Sequence, residues 1–256
     1  MSAALAGRHA LVTGGGRGIG EAIAVALAGQ GAAVTLLGRD RRRLDEVAAR
    51  IGAATGVVIA DVTDPTAIER AFAAAREAHG RIDLLVNNAG EAVSATFANT
   101  DAALWRRMFE VNATGAYHCI QAALPDMLEA GYGRIVNVAS TAGLIGYAYC
   151  AAYCAAKHAL VGLTRALAVE LAPRDITVNA VCPGFTDTDI VKQAVANIRA
   201  KTGRSEREAE ASLVARNPQR RLVRPAEVAH AVLYLCLPGA EAMTGQSLPI
   251  AGGEVF

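Results

Sequence analysis

Tyr153 and Lys157 place a phenol and an ammonium group four residues apart in the sequence. On a helix, residues four apart share a face, so both side chains point into the same space. A free tyrosine has a pKa of about 10 and is a poor acid or base at neutral pH, whereas a neighbouring cation favours its phenolate form. The pair therefore has the composition of a proton-transfer site, although this spacing is also common on solvated helix surfaces.

The composition of the chain limits the kinds of protein that it could be. Its 256 residues are 53% hydrophobic, which is enough for one well-buried domain, and its formal charge of +1 gives no indication of a nucleic-acid or membrane partner. The start of the chain lacks a charged segment followed by an apolar one, and no apolar run reaches 18 residues. The five cysteines form no CxxC pair or Cys/His cluster. We expect a cytoplasmic protein with a single domain over residues 1–256, without a metal site or a disulfide framework.

Apolar runs of strand length alternate with longer helix-like segments along the whole chain. The predicted strands cover residues 9–13, 33–37, 56–60, 82–86, 134–139, 177–182 and 247–250. The predicted helices cover residues 20–28, 41–51, 65–79, 101–130, 152–171 and 225–235. Strands that are apolar on both faces and separated by amphipathic helices indicate a parallel sheet that is covered on both sides. The predicted fold is therefore a single doubly wound α/β domain of the Rossmann type, with about seven strands.

A glycine-rich turn joins the first strand to the first helix. Its candidate cofactor-binding residues are Gly14, Gly16, Arg17, Gly18, Ile19 and Gly20. Glycines allow a tight turn there and let a pyrophosphate approach the helix N-terminus, where free N–H groups and the helix dipole attract negative charge. The spacing does not match the GxGxxG fingerprint literally, so its position after the first strand carries the argument.

The end of the second strand is where dinucleotide-binding folds discriminate between NAD and NADP. Here Gly38 is followed by Arg39, and Arg17 in the glycine-rich turn could supply a second cation for a 2′-phosphate. Asp40 is the alternative, because an offset of one residue would present a carboxylate to the ribose of NAD. We predict that NADP(H) is preferred over NAD(H). We interpret 41–43, three consecutive arginines, as a solvated helix start.

Polar and small residues also follow the third and fourth strands. Asp61 and Val62 end the third strand, and the carboxylate could accept a hydrogen bond from an adenine amino group. Asn88, Ala89 and Gly90 follow the fourth strand, and their small size lets the backbone lie close to a ribose. Either group alone would also serve as an ordinary strand-end cap or turn.

The order and spacing of these motifs resemble the short-chain dehydrogenase/reductase family. The resemblance rests on the glycine-rich turn of residues 13–20, Asn-Asn-Ala-Gly at 87–90, Ser140, Tyr153 with Lys157, and Pro183-Gly184. It covers nearly the whole chain. It implies a nicotinamide-dependent oxidoreductase that acts on a small-molecule ketone and secondary alcohol pair.

The resemblance also implies a role for four residues. Ser140 would hydrogen-bond and polarise the substrate carbonyl, and Tyr153 would donate or remove the proton. Lys157 would lower the pKa of the tyrosine and bind the nicotinamide ribose, and the backbone of Asn112 would hold a water of the proton relay. From the residues alone, Ser140 could equally be a turn residue and Asn112 a helix cap.

The family pattern further places the segment after the sixth strand against the nicotinamide carboxamide. The positions concerned are Pro183, Gly184, Thr186 and Thr188. Residues 187–223, which follow, correspond to the substrate lid of the family and are locally basic. Those cations could attract the phosphates of a CoA or acyl-carrier thioester, or they could lie in water on an amphipathic helix where glutamates are interleaved.

Within the family, the chain resembles the 3-oxoacyl thioester reductases and 3-hydroxyacyl-CoA dehydrogenases. Arg174 matches one of two arginines with which acyl-carrier-protein reductases dock their partner, but the other position falls on Gly131. This departure favours a CoA ester or an unrelated ketone over an acyl-carrier substrate. Tyr147 and Tyr149 are candidates for the substrate wall, whereas packing explains Trp105 and Phe109.

Three further expectations concern assembly and alternative functions. The segments 101–130 and 152–171 carry more apolar surface than one sheet face would cover, and family members are commonly tetramers, so we predict a homotetramer. A reductase of a keto sugar or other non-thioester ketone using NAD(H) remains an alternative. So does a silent cofactor-binding sensor, although such proteins usually lose the tyrosine or the lysine that this chain retains.

Overall fold

The computed structural model describes residues 3–52 and 54–256, in which seven parallel strands form one sheet. The strands are β1 (His9–Thr13), β2 (Ala33–Gly38), β3 (Thr55–Ile59), β4 (Leu84–Asn87), β5 (Gly133–Val138), β6 (Ile176–Pro183) and β7 (Ser247–Ile250). Their order in the sheet is β3-β2-β1-β4-β5-β6-β7. The prediction of a doubly wound, seven-stranded parallel sheet is confirmed, and the strand bounds differ from the predicted ones by at most two residues.

Helices cover both faces of the sheet. They are α1 (Gly18–Ala28), α2 (Arg41–Ile51), α3 (Pro65–His79), α4 (Ala102–Phe109), α5 (Gly115–Ala130), α6 (Ala151–Leu171), α7 (Asp189–Thr202), α8 (Glu206–Leu213) and α9 (Pro225–Cys236). One apolar core lies between the sheet and α1, α2 and α9, and a second lies between the sheet and α3, α5 and α6. No helix in the described part of the chain is long and apolar enough to span a bilayer.

The single helix predicted over residues 101–130 is wrong in one respect. The segment Glu110–Thr114 winds as a π-helix between α4 and α5. Such a wider turn interrupts the regular hydrogen-bond ladder, and sequence periodicity does not reveal it because the apolar stripe continues through it. The interruption falls on Asn112, one of the candidate catalytic residues.

The topology brings the candidate site to one edge of the sheet. Because β1 lies between β2 and β4, the chain leaves the sheet in opposite directions on either side of β1, and a crevice opens at the carboxyl ends of these strands. The glycine-rich turn, the segment after β4, Ser140 after β5 and the segment after β6 all meet at this edge. The predicted site residues therefore converge without any long loop.

Residues 187–223, the predicted lid, are closed at their base by an isolated bridge between Thr186 and Val223. The Asp187 N–H donates to the Val223 carbonyl at 2.9 Å, and the Val223 N–H donates to Phe185 at the same distance. Helices α7 and α8 pack on each other through a small apolar cluster that includes Val191, Val195 and Ala209. The segment is thus a helical pair whose two ends are joined by this bridge, and its role as a lid stays a prediction.

His9 is a buried ionisable residue at the opposite end of the sheet from the site. Its Nδ1 donates to the Gly80 carbonyl at 2.9 Å and its Nε2 accepts from the Thr35 hydroxyl at 2.8 Å, so the neutral ring is fully hydrogen-bonded. Burial lowers the pKa of His9 below its ordinary value, and the hydrogen bond to Gly80 opposes this effect only in part.

Acid should therefore destabilise the protein through His9. Below about pH 6.5 the unfolded chain binds a proton that the folded chain does not, so the free energy of unfolding should fall by up to about 1.4 kcal/mol per pH unit until the folded pKa is reached. Urea unfolding at several pH values between 7.5 and 5 measures this slope. In His9→Gln the slope should be shallower, and an equal slope in both proteins would contradict the assignment.

Candidate active site

Ser140, Tyr153 and Lys157 lie together at the carboxyl edge of the sheet. Ser140 follows β5, and Tyr153 and Lys157 occupy successive turns of α6. The Ser140 backbone is extended and its hydroxyl accepts from the Ala142 N–H at 3.1 Å, starting a short 3₁₀ turn. This turn is what directs the serine side chain towards α6.

Tyr153 is a neutral phenol in this arrangement. Burial raises the pKa of Tyr153 to about 12, and a hydrogen bond with Ser140 opposes the shift. The Lys157 ammonium nitrogen lies 5.8 Å from the centroid of the Tyr153 ring. In the protein alone, burial therefore outweighs the lowering that we expected from the lysine.

Lys157 is 4% exposed and its Nζ donates to the Val138 carbonyl at 2.9 Å. Burial lowers the pKa of Lys157 to about 8. An ammonium group has three protons to donate, and this hydrogen bond uses one of them. Gly90 lies beside the lysine, since a Cβ built on Gly90 would come within 3.6 Å of Nζ and 3.0 Å of the Asn112 Oδ1. The Lys157 ammonium group thus lies beside the segment that we predict to contact a ribose.

Asn112 lies in the π-helical turn, and its side chain is used for structure. Its Nδ2 donates to the carbonyls of Glu91 and Met108 at 2.9 and 3.0 Å, and its Oδ1 accepts from the Glu91 N–H at 3.2 Å. These bonds hold the segment after β4 against the helix. The side chain of Asn112 is thus engaged, and the role that the family resemblance implies for this residue, holding a water of the proton relay, belongs to its backbone.

The glycine-rich turn forms an open cradle at the start of α1. Gly14 has a φ of 65°, and a Cβ there would come within 2.9 Å of the Asn88 amide nitrogen. A Cβ on Gly20 would collide with the Gly14 carbonyl. Arg17, at the N-cap, places no side-chain acceptor on the first N–H groups of the helix. Those free donors suit a pyrophosphate, so the residues present fit a dinucleotide.

Asn88 and Thr13 clamp the cradle to the segment after β4. The Thr13 hydroxyl accepts from the N–H groups of Asn88 and Ala89, both at 2.9 Å. The Asn88 amide donates to the Thr13 carbonyl at 2.9 Å and to the Gly14 carbonyl at 3.2 Å. The role of Thr13 as the acceptor in this clamp was not predicted, because its partners are 75 and 76 residues away in the sequence.

Arg39 and Asp61, which follow the neighbouring strands β2 and β3, are in contact. The Arg39 guanidinium donates to the Asp61 carboxylate at 3.3 Å. Burial acts to raise the pKa of Asp61, but hydrogen bonds from Thr63 and the charge of Arg39 outweigh it and hold the pKa below its usual value. Val62, the next residue, is buried and packs in the core with Ala60. Asp61 is therefore ionised and held in place by Thr63, and its contact with an adenine stays a prediction.

Asp40, the alternative discriminator, caps helix α2. Its carboxylate accepts from the Arg43 N–H at 3.2 Å. Arg41 and Arg42 pair with acidic residues one turn further along α2, as a solvated helix start would. Arg43 departs from that interpretation: its stem lies against Gly16 and its guanidinium pairs with Asp189 at 3.3 Å. The sequence does not indicate this contact of Arg43, because nothing local distinguishes Arg43 from the two arginines that precede it.

The segment after β6 runs from the sheet to helix α7 beside the glycine-rich turn. Thr186 and Thr188 form successive turns, donating to the carbonyls of Gly184 and Thr186 at 3.0 and 3.2 Å. The Thr188 methyl group packs on Gly18, where a Cβ would come within 3.2 Å. Ile19, next in the turn, packs on the core below. The predicted nicotinamide segment and the predicted phosphate turn are thus in direct contact.

Tyr147, a candidate for the substrate wall, is held by hydrogen bonds and a ring contact. Its hydroxyl donates to the Glu254 carboxylate at 2.7 Å and lies 2.7 Å from the Thr141 hydroxyl, and its ring packs edge-on against Phe185. Tyr149 is 67% exposed with a positive φ, and its place in a substrate wall stays a prediction. Glu254 was not predicted, since it lies 107 residues from Tyr147.

Comparison with known proteins supports the resemblance to the short-chain dehydrogenase/reductase family. The family model for enoyl-(acyl carrier protein) reductase matches residues 14–254. A 2-(S)-hydroxypropyl-CoM dehydrogenase of Xanthobacter autotrophicus is 39% identical across 99% of this chain and 98% of its own length. A 3-oxoacyl-(acyl-carrier-protein) reductase of Vibrio cholerae is 36% identical across 97% of this chain and 98% of its own.

A solved structure of an actinorhodin polyketide ketoreductase variant with NADPH superimposes with a TM-score of 0.93. It is 40% identical in sequence, and the match covers 96% of this chain and 97% of that one. The protein described here is accordingly an oxidoreductase acting on CH–OH groups with a nicotinamide cofactor, and it belongs to the short-chain dehydrogenase/reductase family.

Proposed function

We propose that this protein transfers a hydride between NADP(H) and a ketone and secondary alcohol pair, with a 3-oxoacyl thioester as the leading substrate class. The observation that carries the proposal is the convergence of Ser140, Tyr153 and Lys157 beside Gly90, with spare protons on a buried ammonium. Similarity to thioester ketoreductases supports the substrate class.

In ketone reduction, Ser140 holds the substrate carbonyl oxygen next to the phenol of Tyr153. The phenol is protonated at neutral pH because burial raises the pKa of Tyr153 to about 12, so it can donate a proton to the oxygen as negative charge develops there. When bound, the nicotinamide supplies the hydride. The protein contributes position, through Ser140 and the cradle, and it moves the proton at the Tyr153 hydroxyl.

Lys157 performs two tasks in this proposal. Its free N–H groups bind the ribose hydroxyls, and its charge offsets the phenolate that remains after proton donation. The backbone of Asn112 connects this end of the site to solvent through a water, since its side chain is committed to Glu91 and Met108.

The pH dependence of ketone reduction should follow the ionisation of Lys157 and not that of Tyr153. We expect kcat/KM for NADPH to fall above about pH 8, because this parameter follows the free enzyme and burial lowers the pKa of Lys157 to about 8. Initial rates with varied NADPH at saturating ketone, measured between pH 6 and pH 10, define this fall, which is the alkaline limb of the profile. In Lys157→Arg, whose charge persists, the limb should move to higher pH even though the rate is lower. A wild-type profile that stays flat to pH 10 would contradict this assignment.

NADP(H) is the proposed cofactor because Arg17 in the glycine-rich turn and Arg39 after β2 are the cations that we predict to bind the 2′-phosphate, whereas Asp40 is engaged as a helix cap. A CoA ester is preferred to an acyl-carrier substrate because Gly131 leaves Arg174 without the second docking arginine. Absorbance of the reduced cofactor, with NADPH and then NADH, tests both points against acetoacetyl-CoA, a longer 3-oxoacyl-CoA, a simple ketone and a keto sugar. Activity confined to the ketone or the sugar would remove the thioester from the proposal.

We also propose a homotetramer. Apolar side chains are exposed on helices α4, α5 and α6, among them Trp105, Tyr117, Leu128 and Val169. Sedimentation at micromolar concentration tests the assembly, and a monomer would contradict it. Val169→Asp should shift the equilibrium towards smaller species without affecting the fold, since this side chain is 80% exposed.

A further inference from the structure

Asp189, the first residue of α7, links the predicted lid to two arginines of the cofactor end. Its Oδ2 accepts from Arg17 at 2.8 Å and from Arg43 at 3.3 Å, across 172 and 146 residues of sequence. Hydrogen bonds from Arg17 and then Arg43 hold the pKa of Asp189 below its usual range, so it is ionised at neutral pH. The contacts are exposed and meet at a single carboxylate oxygen.

Three arginines at this end of the sheet have carboxylate partners: Arg17 pairs with Asp189, Arg39 pairs with Asp61, and Arg43 pairs with both Asp189 and Asp40. These partners differ in how firmly they are held. Asp61 accepts two hydrogen bonds from Thr63, at 3.0 and 2.8 Å, and Asp40 caps α2. Asp189 has hydrogen bonds from the two arginines alone among the side chains in the described part of the chain.

A dianionic phosphate that approaches Arg17 must therefore share it with a carboxylate or displace that carboxylate. Guanidinium groups bind carboxylates and phosphates through the same donors, so the two anions compete for one geometry. Asp189 is the carboxylate that is displaced most easily, because, unlike those of Asp61 and Asp40, its carboxylate accepts no hydrogen bond in the described part of the chain besides those of the two arginines. It lies at the start of the helical pair that joins the sheet at the bridge between Thr186 and Val223.

We propose that Asp189 is a specificity-determining residue that competes with the 2′-phosphate of NADP(H) for Arg17 and Arg43. The inference rests on the proposed use of Arg17 in cofactor binding. It has two consequences: Asp189 weakens the binding of NADP(H) relative to NAD(H), and the 2′-phosphate releases the first turn of the predicted lid from the cofactor loop.

Cofactor affinity provides the first test. The dissociation constants of NADPH and NADH are measured by nicotinamide fluorescence for the wild type, Asp189→Asn and the control Glu206→Gln. The control also removes one negative charge from the predicted lid, where Glu206 faces Arg199 at 3.6 Å. Because exposed ion pairs are weak, we expect Asp189→Asn to bind NADPH about three- to tenfold more tightly, with NADH and the control within about twofold of wild type. Unchanged or weaker NADPH binding in Asp189→Asn would overturn the proposal.

Limited trypsin digestion provides a readout that does not depend on turnover. The link between α7 and α8 contains Arg204 and is preceded by Lys201 in the last turn of α7. At saturation, the wild-type link should be cleaved faster with NADPH than with NADH, since the two cofactors differ only in the 2′-phosphate. In Asp189→Asn the two rates should be equal. Slower cleavage with NADPH than with NADH in the wild type would contradict the competition.

Arg17→Gln separates failure of this inference from failure of the proposed cofactor. Selective loss of NADPH binding in Arg17→Gln, together with no response in Asp189→Asn, would reject the role of Asp189 alone. If Arg17→Gln and an Arg39 variant both bind the two cofactors as the wild type does, the proposed preference for NADP(H) fails and the inference fails with it.

Discussion

Replacing Tyr153 with phenylalanine should lower kcat for ketone reduction about 10³-fold while leaving the dissociation constant of NADPH within about threefold of wild type. The substitution removes the single hydroxyl that can donate a proton to the developing alkoxide. It leaves the ring, which packs beside Met108 and Ala156, in place. The loss should therefore appear in the chemical step, with cofactor affinity and thermal stability nearly unchanged.

The measurement combines steady-state rates, fluorescence titration of NADPH and a thermal unfolding curve. Tyr234→Phe is a matched control, because it removes a phenol that is 53% exposed on α9, and its rate should equal that of the wild type. A Tyr153→Phe enzyme that retains more than a tenth of the wild-type rate would refute the assigned role of the tyrosine.

Replacing Arg39 with aspartate should change the ratio of kcat/KM for NADPH over NADH by about 100-fold in favour of NADH. Loss of a charge-assisted hydrogen bond to a phosphate costs about 1.5–3 kcal/mol, and the new carboxylate adds repulsion. A carboxylate at this position can also accept from the ribose hydroxyls of NADH. Since Asp61 faces Arg39 at 3.3 Å, part of the gain with NADH will be offset by repulsion between two neighbouring acids.

Initial rates with each cofactor at a fixed ketone concentration test the Arg39 prediction. Arg42→Asp is the control, since this substitution makes the same change of charge at the solvated start of α2, where Arg42 pairs with Glu46. An unchanged cofactor ratio in Arg39→Asp would move the discriminating role to Arg17 or Asp40. The Arg17→Gln titration described above distinguishes those two.

Local pattern determined the fold and most of the site. Each strand is an apolar run of sheet length, each helix has its own periodicity, and parallel strands joined by helices bring their carboxyl ends to one edge. The glycine-rich turn, Ser140, and Tyr153 with Lys157 lie directly at strand ends or one helical turn apart. Their positions follow from a few residues of neighbouring sequence, so the convergence was predictable.

Burial decided the ionisation states, and the sequence did not indicate how deep each group would lie. Lys157 was expected to make the Tyr153 phenol more acidic, but in the protein alone the desolvation of the ring raises its pKa and that of the lysine is lowered. His9 is a similar case, since the same histidine in a surface strand would titrate near its ordinary pKa.

The sequence by itself determined that this chain forms a doubly wound sheet with a dinucleotide cradle and a proton-transfer pair, because those features depend on residue types at short spacing. Tertiary structure alone decided which side chains meet across long separations: Thr13 with Asn88, Tyr147 with Glu254, and Asp189 with Arg17. Such contacts depend on the mutual packing of elements. No local pattern encodes the distance between two side chains that the fold brings together from 75 to 172 residues apart.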